Sequence, residues 1–179
     1  MDDGTLLARA GCGDEEAFAE LYARYQGPLY RYASHMCGNA ADDIVQETFL
    51  AVLRRPHAYD ALRGTVGQYL FGIARHHVLQ RIGASHEEPP FDADEAGTTP
   101  LDELLQTESV SRVRSAVEAL PPVYREVVAL CELQEMPYQT AASILECPVG
   151  TIRSRLHRAR MRLARILSAP GAAAAGERR

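Results

Sequence analysis

The sequence predicts an all-α protein of two small helical domains joined by a flexible acidic linker, with a helix-turn-helix in the second domain. Three observations support this. Along every strongly periodic stretch the apolar residues recur at intervals of three and four, and no stretch stands out with the period of two that marks a strand. Between Gly83 and Leu105 the composition shifts to seven acids, three prolines and two glycines with no arginine, which suits a solvated spacer. Residues 148–167, PVGTIRSRLHRARMRLARIL, carry six arginines and no acid. They follow a short helical stretch after a tight break, as a helix-turn-helix requires. The expected boundaries are 1–83 for the first domain, 84–105 for the linker, 106–167 for the second domain and 168–179 for a flexible tail.

The elements follow in order. Asp14 is placed to cap a helix with the stripe Phe18, Leu21, Tyr22, Tyr25, Leu29 and Tyr32, which Gly27-Pro28 should interrupt. Asn39 offers the cap of a second, with Ile44, Val45, Phe49, Val52 and Leu53 inward and an end near Pro56. Thr65 should cap a third, with Val66, Leu70, Ile73 and His77 as its inward stripe. Beyond the linker, helical spacing resumes through Val110, Val113, Val117 and Leu120, breaks at Pro121-Pro122, and continues through Val123, Val127, Leu130 and Cys131. Pro122 fits the first turn of that helix, where a missing N–H costs nothing. After YQTAASIL comes the break at Glu146-Cys147-Pro148, then the basic helix.

Charge separates along the chain. Residues 148–179 carry eight arginines against Glu177, whereas residues 1–147 carry 11 arginines against 23 acids. All 19 basic residues are arginine, a bias that compositional drift in a GC-rich genome would also produce. The basic end suggests contact with nucleic acid, and the acidic remainder suggests solvent or a basic protein partner. Acids in MDDGTLLARAGCGDEE oppose a secretory signal, and no apolar run reaches the roughly 18 residues that span a bilayer, so a cytoplasmic protein is expected. Cys12, Cys37, Cys131 and Cys147 are scattered without a C-x-x-C pair, which predicts buried free thiols rather than zinc ligands or disulfides.

On the basic helix, Val149, Ile152, Leu156, Ala159, Leu163 and Ile166 share one face at 100° per residue. Ser154, His157, Arg158 and Arg165 project away from it, with Thr151 and Arg153 at its flanks. In such a helix the N-terminal half enters the major groove, so Thr151, Arg153, Ser154, Arg155, His157 and Arg158 are the candidate readers, and the later arginines would meet phosphates. A well-placed arginine on guanine contributes about 1 to 3 kcal/mol of discrimination.

The run Y-x-x-A-A-x-x-L-x-x-P-V-G-T-I-R-S-R-L-H-R-A-R resembles the C-terminal DNA-binding domain of bacterial RNA polymerase sigma factors, in particular the small extracytoplasmic-function group. The resemblance implies a domain that reads the minus-thirty-five promoter element and docks on the flap of the polymerase β subunit. A second motif agrees: in AADDIVQETFLAVLRR, Asp43, Gln46, Glu47 and Leu50 share a face opposite the apolar stripe. Asp43 and Glu47 repel mildly at i,i+4, an arrangement a basic partner would reverse. Helix-dipole effects can explain Asp42 and Asp43 but not Leu50 on a polar face. DDIVQETFL resembles the family segment that grips the β′ coiled coil, which implies that role for Asp43, Gln46, Glu47 and Leu50.

Between the two motifs, RGTVGQYLFGIARHHVLQRI occupies the place where the family recognises and opens the minus-ten element. Capture of unpaired bases requires aromatic faces and cations, and Tyr69, Phe71, Arg75, His76 and Arg81 supply them. Three departures from the family pattern mark this segment. Tyr69 stands where a tryptophan is common, His76 stands where an asparagine is common, and the basic cluster at the helix end is thinned to QRIGAS. Gly67 and Gly72 would each weaken the helix by up to about 1 kcal/mol. In the second domain Glu146 replaces a common turn glycine and Thr140 a common glutamate, and the turn is expected to adjust around Glu146.

The function expected is that of a sigma factor, with partners in core polymerase, promoter DNA and an anti-sigma protein, and with no catalytic residues, metal or cofactor. The alternative is a helix-turn-helix regulator whose N-terminal domain senses a ligand or partner. A metalloenzyme built on His35, His76 and His77 is disfavoured, because adjacent histidines on one helix diverge by about 100°.

Overall fold

The computed structural model describes residues 1–83 and 110–168. The expected linker and the tail beyond Ser168 lie outside those residues. The first half is built from four helices: α1 (Asp3–Gly11), α2 (Glu15–Cys37), α3 (Ala41–Arg54) and α4 (Val66–Ile82). The second half is built from α5 (Val110–Glu118), α6 (Pro122–Val127), α7 (Tyr138–Ile144) and α8 (Val149–Ser168). A π-helical turn, Val128–Glu132, continues α6.

Periodicity does not announce α1, because only Leu6, Leu7 and Ala10 of its nine residues are buried. It is held at its ends. Asp2 accepts from the Thr5 amide at 3.1 Å, and Gly11 packs so close to Pro56 that an added Cβ would lie 2.2 Å from the proline ring. Asp14 caps α2 as expected, accepting from the Ala17 amide at 3.0 Å, and also pairs with Arg9 at 2.5 Å. The expected break at Gly27-Pro28 does not occur: α2 runs through Pro28 without ending. A proline inside a helix costs about 3 kcal/mol. Burial of Leu29, Tyr32, Ala33 and Met36 on the far side of it holds that last stretch in helical register.

Asn39 is not the cap of α3; it lies inside a 3-10 turn, Gly38–Ala40, and Ala40 precedes the helix without a capping side chain. At α4 the Thr65 cap forms in full: its hydroxyl accepts from the Gln68 amide at 3.2 Å, and Gln68 accepts from the Thr65 amide at 2.8 Å. Gly67 lets α4 approach α2, since a Cβ there would stand 3.1 Å from the Tyr25 ring.

The inward stripe of α4 differs from the one expected. Val66, Leu70, Phe71, Ala74, Arg75 and Val78 are buried, while Ile73 and His77 are only partly covered. The helix is covered on two sides, by α2 and α3 and by α7 of the second half, so its burial spans more than one amphipathic stripe. In the second half Pro122 occupies the first turn of α6, and Val123, Tyr124, Glu126 and Val127 are buried. On α8 the buried face is Ile152, Leu156, Ala159, Leu163 and Leu167, so Leu167 takes the place expected for Ile166, which is exposed.

Glu146 adopts φ = 52°, the left-handed conformation, between α7 and α8. The turn therefore keeps the geometry a glycine would favour rather than adjusting around the glutamate. The buried apolar residues of the two halves form one continuous core.

Candidate nucleic-acid interface

The first half presents an acidic face. Burial of Ile44, Val45, Thr48, Phe49 and Val52 fixes the rotation of α3 and leaves Asp43, Gln46, Glu47 and Leu50 exposed together. Leu50 keeps 46% of its surface in solvent, although packing does not require it there. The repulsion between Asp43 and Glu47 is relieved from α4: Arg81 lies 3.4 Å from Asp43 and 3.8 Å from Glu47, and His77 Nδ1 lies 3.4 Å from Glu47. These pairs are solvated and weak, so a basic partner could displace them.

The five residues proposed on α4 for strand opening do not share one surface. Tyr69 is half-buried beside Tyr59, with ring centroids 5.6 Å apart, and burial pushes its hydroxyl pKa up. His76 is exposed and within 3.0 Å of Gln80. Arg81 is exposed but faces the acids of α3. Phe71 is a core residue, packed edge-on against Tyr32 at 5.8 Å, and cannot present its ring to a base here. Arg75 is buried as well, its Nε donating to Glu126 at 3.0 Å. Phe71 is covered from within the first half and Arg75 is held by the second, a double burial which one helical period does not reveal.

A cleft of about 790 Å3 opens beside this surface. It is lined by Tyr69, Gly72, Arg75 and His76 of α4, by Arg54 and Arg63, and by Ile144 of α7. The segment leading into α4 is tied by Tyr59, whose hydroxyl donates to the Gly64 carbonyl at 3.0 Å.

On α8 the candidate readers divide by exposure. Arg153, Ser154 and His157 are exposed, while Thr151, Arg155 and Arg158 are partly covered. Ser154 donates to the Thr151 carbonyl at 3.0 Å. Two of the later arginines serve the fold instead of waiting for phosphates. Arg160 donates to Glu132 at 2.5 Å, and the Arg162 guanidinium lies 5.3 Å from the Tyr124 ring centroid. Burial pulls the Arg160 pKa down, but hydrogen bonds to Glu132 and Tyr138 outweigh it and hold the group above its ordinary value.

The sequence did not mark Glu126 or Arg125, and it marked Tyr32 only as a member of an apolar stripe. Glu126 lies one residue from the Val123, Val127 stripe, and a charged residue beside a stripe is ordinary; its burial depends on the other half. Among the described residues no group of three His, Cys, Asp or Glu is placed to hold a metal. No helix among them is long and apolar enough to cross a membrane.

Known proteins match this arrangement in both halves. Residues 21–86 match the family model "Sigma-70 region 2" and residues 111–163 match "Sigma-70, region 4". The ECF RNA polymerase sigma-E factor of Haemophilus influenzae is 34% identical over 180 residues, spanning 89% of this chain and 92% of its own. That of Escherichia coli K12 is 33% identical over 177 residues, spanning 89% and 91%. SigW of Bacillus subtilis is 29% identical over 171 residues, spanning 87% and 91%. Among solved structures, CnrH in complex with the cytosolic domain of CnrY superposes with a TM-score of 0.70 at 26% identity, covering 94% of this chain and 99% of that one. The sigma factor RpoE from Bartonella quintana, solved with the anti-sigma factor NepR, shares the fold at a TM-score of 0.63 and 22% identity, covering 86% and 98%. A regulator with an unrelated sensor domain is not favoured, because the first half matches a sigma region in its own right. The chain belongs to the ECF RNA polymerase sigma factors, the subunits that bind RNA polymerase and give initiation its promoter specificity.

Proposed function

We propose that the two halves divide the work of the sigma factor, with residues 1–83 gripping core polymerase and the minus-ten element and residues 106–167 reading the minus-thirty-five element. On the first half Asp43, Gln46, Glu47 and Leu50 meet the basic β′ coiled coil. The observation that carries this is their joint exposure, with an apolar side chain left among acids on the face that α3 turns away from the core. Tyr69 and His76 receive unpaired bases of the minus-ten strand. On α8, Arg153, Ser154 and His157 enter the major groove, with Thr151, Arg155 and Arg158 at the edges of that surface.

The chain supplies binding energy and positioning, while polymerase carries out nucleotidyl transfer, and it works where polymerase does, in the cytoplasm. CnrH and RpoE are solved with CnrY and the anti-sigma factor NepR, which supports an anti-sigma partner for this chain too. Gel filtration with purified core polymerase tests the assignment. The wild-type chain should co-elute with core and Glu47→Arg should not, with both chains equally folded by circular dichroism. Failure of the wild-type chain to bind core would overturn the reading.

A further inference from the structure

A buried polar cluster joins the halves within their shared apolar core. Glu126 of α6, 1% exposed, accepts from Arg75 Nε of α4 at 3.0 Å and from the Tyr32 hydroxyl of α2 at 3.3 Å. Its neighbour Arg125 reaches the same side, donating to the Met36 carbonyl at the end of α2 at 3.1 Å. Arg125 also donates to the Leu120 carbonyl at 2.9 Å and to the Glu118 carbonyl, so it clasps both halves. Burial holds its pKa below the ordinary guanidinium value.

A charge pair sealed in an interface is a poor source of net stability, because desolvation of both ions offsets their attraction. Apolar residues of similar volume would bind the halves at least as well. What the pair provides is registry, together with an interface that carries charges ready to be hydrated when it parts.

The joined arrangement cannot serve a promoter. The two elements, named for their positions, lie about 25 base pairs apart, roughly 85 Å of duplex at 3.4 Å per base pair. Here α7 packs directly on α4, and α8, which starts at Val149 after a short turn, is only about 30 Å long by helix geometry. The two reading surfaces therefore lie too close together. Residues 84–109, which connect the halves, have a contour limit of roughly 90 Å, enough to span the separation once the halves part. Parting also uncovers Arg75 on the helix that carries His76.

We infer that the buried Arg75–Glu126 pair, with Tyr32 and Arg125, is an autoinhibitory latch: Glu126 occupies an arginine that opening delivers to the DNA backbone beside His76. The latch rests on the promoter-reading roles proposed for α4 and α8, but its closed state is testable without polymerase or promoter. It makes the chain a weak DNA binder by itself, in addition to any partner that masks it.

The test uses the full chain in small-angle X-ray scattering, together with binding to a 40-base-pair duplex of mixed sequence in the absence of core. The closed wild-type chain should have a radius of gyration near about 16 Å, the value for one compact body of this length. Glu126→Gln should raise it clearly above the wild-type value and tighten duplex binding several-fold. Glu16→Gln removes the same charge from an exposed position away from the contact between the halves and should change neither reading appreciably. Tyr32→Phe deletes one hydroxyl without changing volume; it should open the chain in the same direction, by less, and guards against a Glu126→Gln protein that fails to fold. An expanded wild-type chain would overturn the latch. So would Glu126→Gln and Tyr32→Phe chains as compact as wild type, with duplex binding no tighter than that of Glu16→Gln. Neither result would touch the Glu47 test of core binding.

Discussion

Arg160, midway along the basic helix, donates to Glu132 of the preceding π-helical turn across 2.5 Å. The contact shows that arginines on one helix do different work. Arg153 is exposed near the N-terminus of α8, whereas Arg160 is committed to holding α8 against α6.

Substitution should separate the two roles. Arg160→Ala is expected to lower the stability of the second half by about 1 kcal/mol, a modest figure because the pair is part-exposed. Thermal melting should show the loss, and DNA binding at low temperature should be largely retained. Arg153→Ala should leave the melting temperature within the range of a surface change, below about 0.5 kcal/mol. Its transcription from a cognate promoter should fall while core binding stays intact. A matching loss of core binding would mean that Arg153 is a folding residue.

The turn between α7 and α8 stores strain that can be removed. Glu146 sits at φ = 52°, where a side chain costs about 1 to 2 kcal/mol relative to glycine. Glycine loses more backbone entropy on folding, so Glu146→Gly should stabilise the chain by about 0.5 to 1 kcal/mol. The measurement is the denaturation midpoint in urea, and an unchanged or lowered midpoint would show that the Glu146 side chain makes a compensating contact. Transcription should survive, because the turn already has the geometry that glycine prefers.

The thiols should differ in reactivity. Against the buried thiols expected, Cys12 is exposed and Cys37, Cys131 and Cys147 are only partly covered; partial burial, with the Glu132 charge beside it, pushes the Cys131 thiol up to about 11. At pH 8 only about one Cys131 in a thousand is then thiolate, the nucleophilic form. Iodoacetamide at pH 8 should label Cys12 first and leave Cys131 almost untouched until the chain is denatured, as read by peptide mass spectrometry. The sign for stability follows. A folded-state pKa raised above the unfolded value gives a contribution that is whole below the ordinary thiol range and is lost as pH rises toward about 11. Labelling of native Cys131 as fast as Cys12 would reject its burial.

Local chemistry made much of this protein legible in the sequence. Asp14 and Thr65 form the caps expected of them, because an N-cap needs only a side-chain oxygen two or three residues before an orphan amide. The faces of α3 and α8 follow from helical period, apart from the exchange of Ile166 for Leu167 in the last turn of α8. The motifs around DDIVQETFL and GTIRSRLHRAR carried the family itself. Proline was misleading for a thermodynamic reason: Pro28 lowers local helix propensity, but the buried residues beyond it hold α2 in register.

Tertiary structure alone decided which side of α4 remains available. One face of that helix packs on α2 and α3, where Phe71 meets Tyr32, and Arg75 is held from another direction by Glu126 of the second half. No periodic pattern records a helix buried from two directions by segments about 50 residues apart in sequence. The sequence by itself determined the fold class and the family. The packing of one half on the other decided that Arg75 is held by Glu126, because the cost of burying a charge depends on what stands opposite it in space.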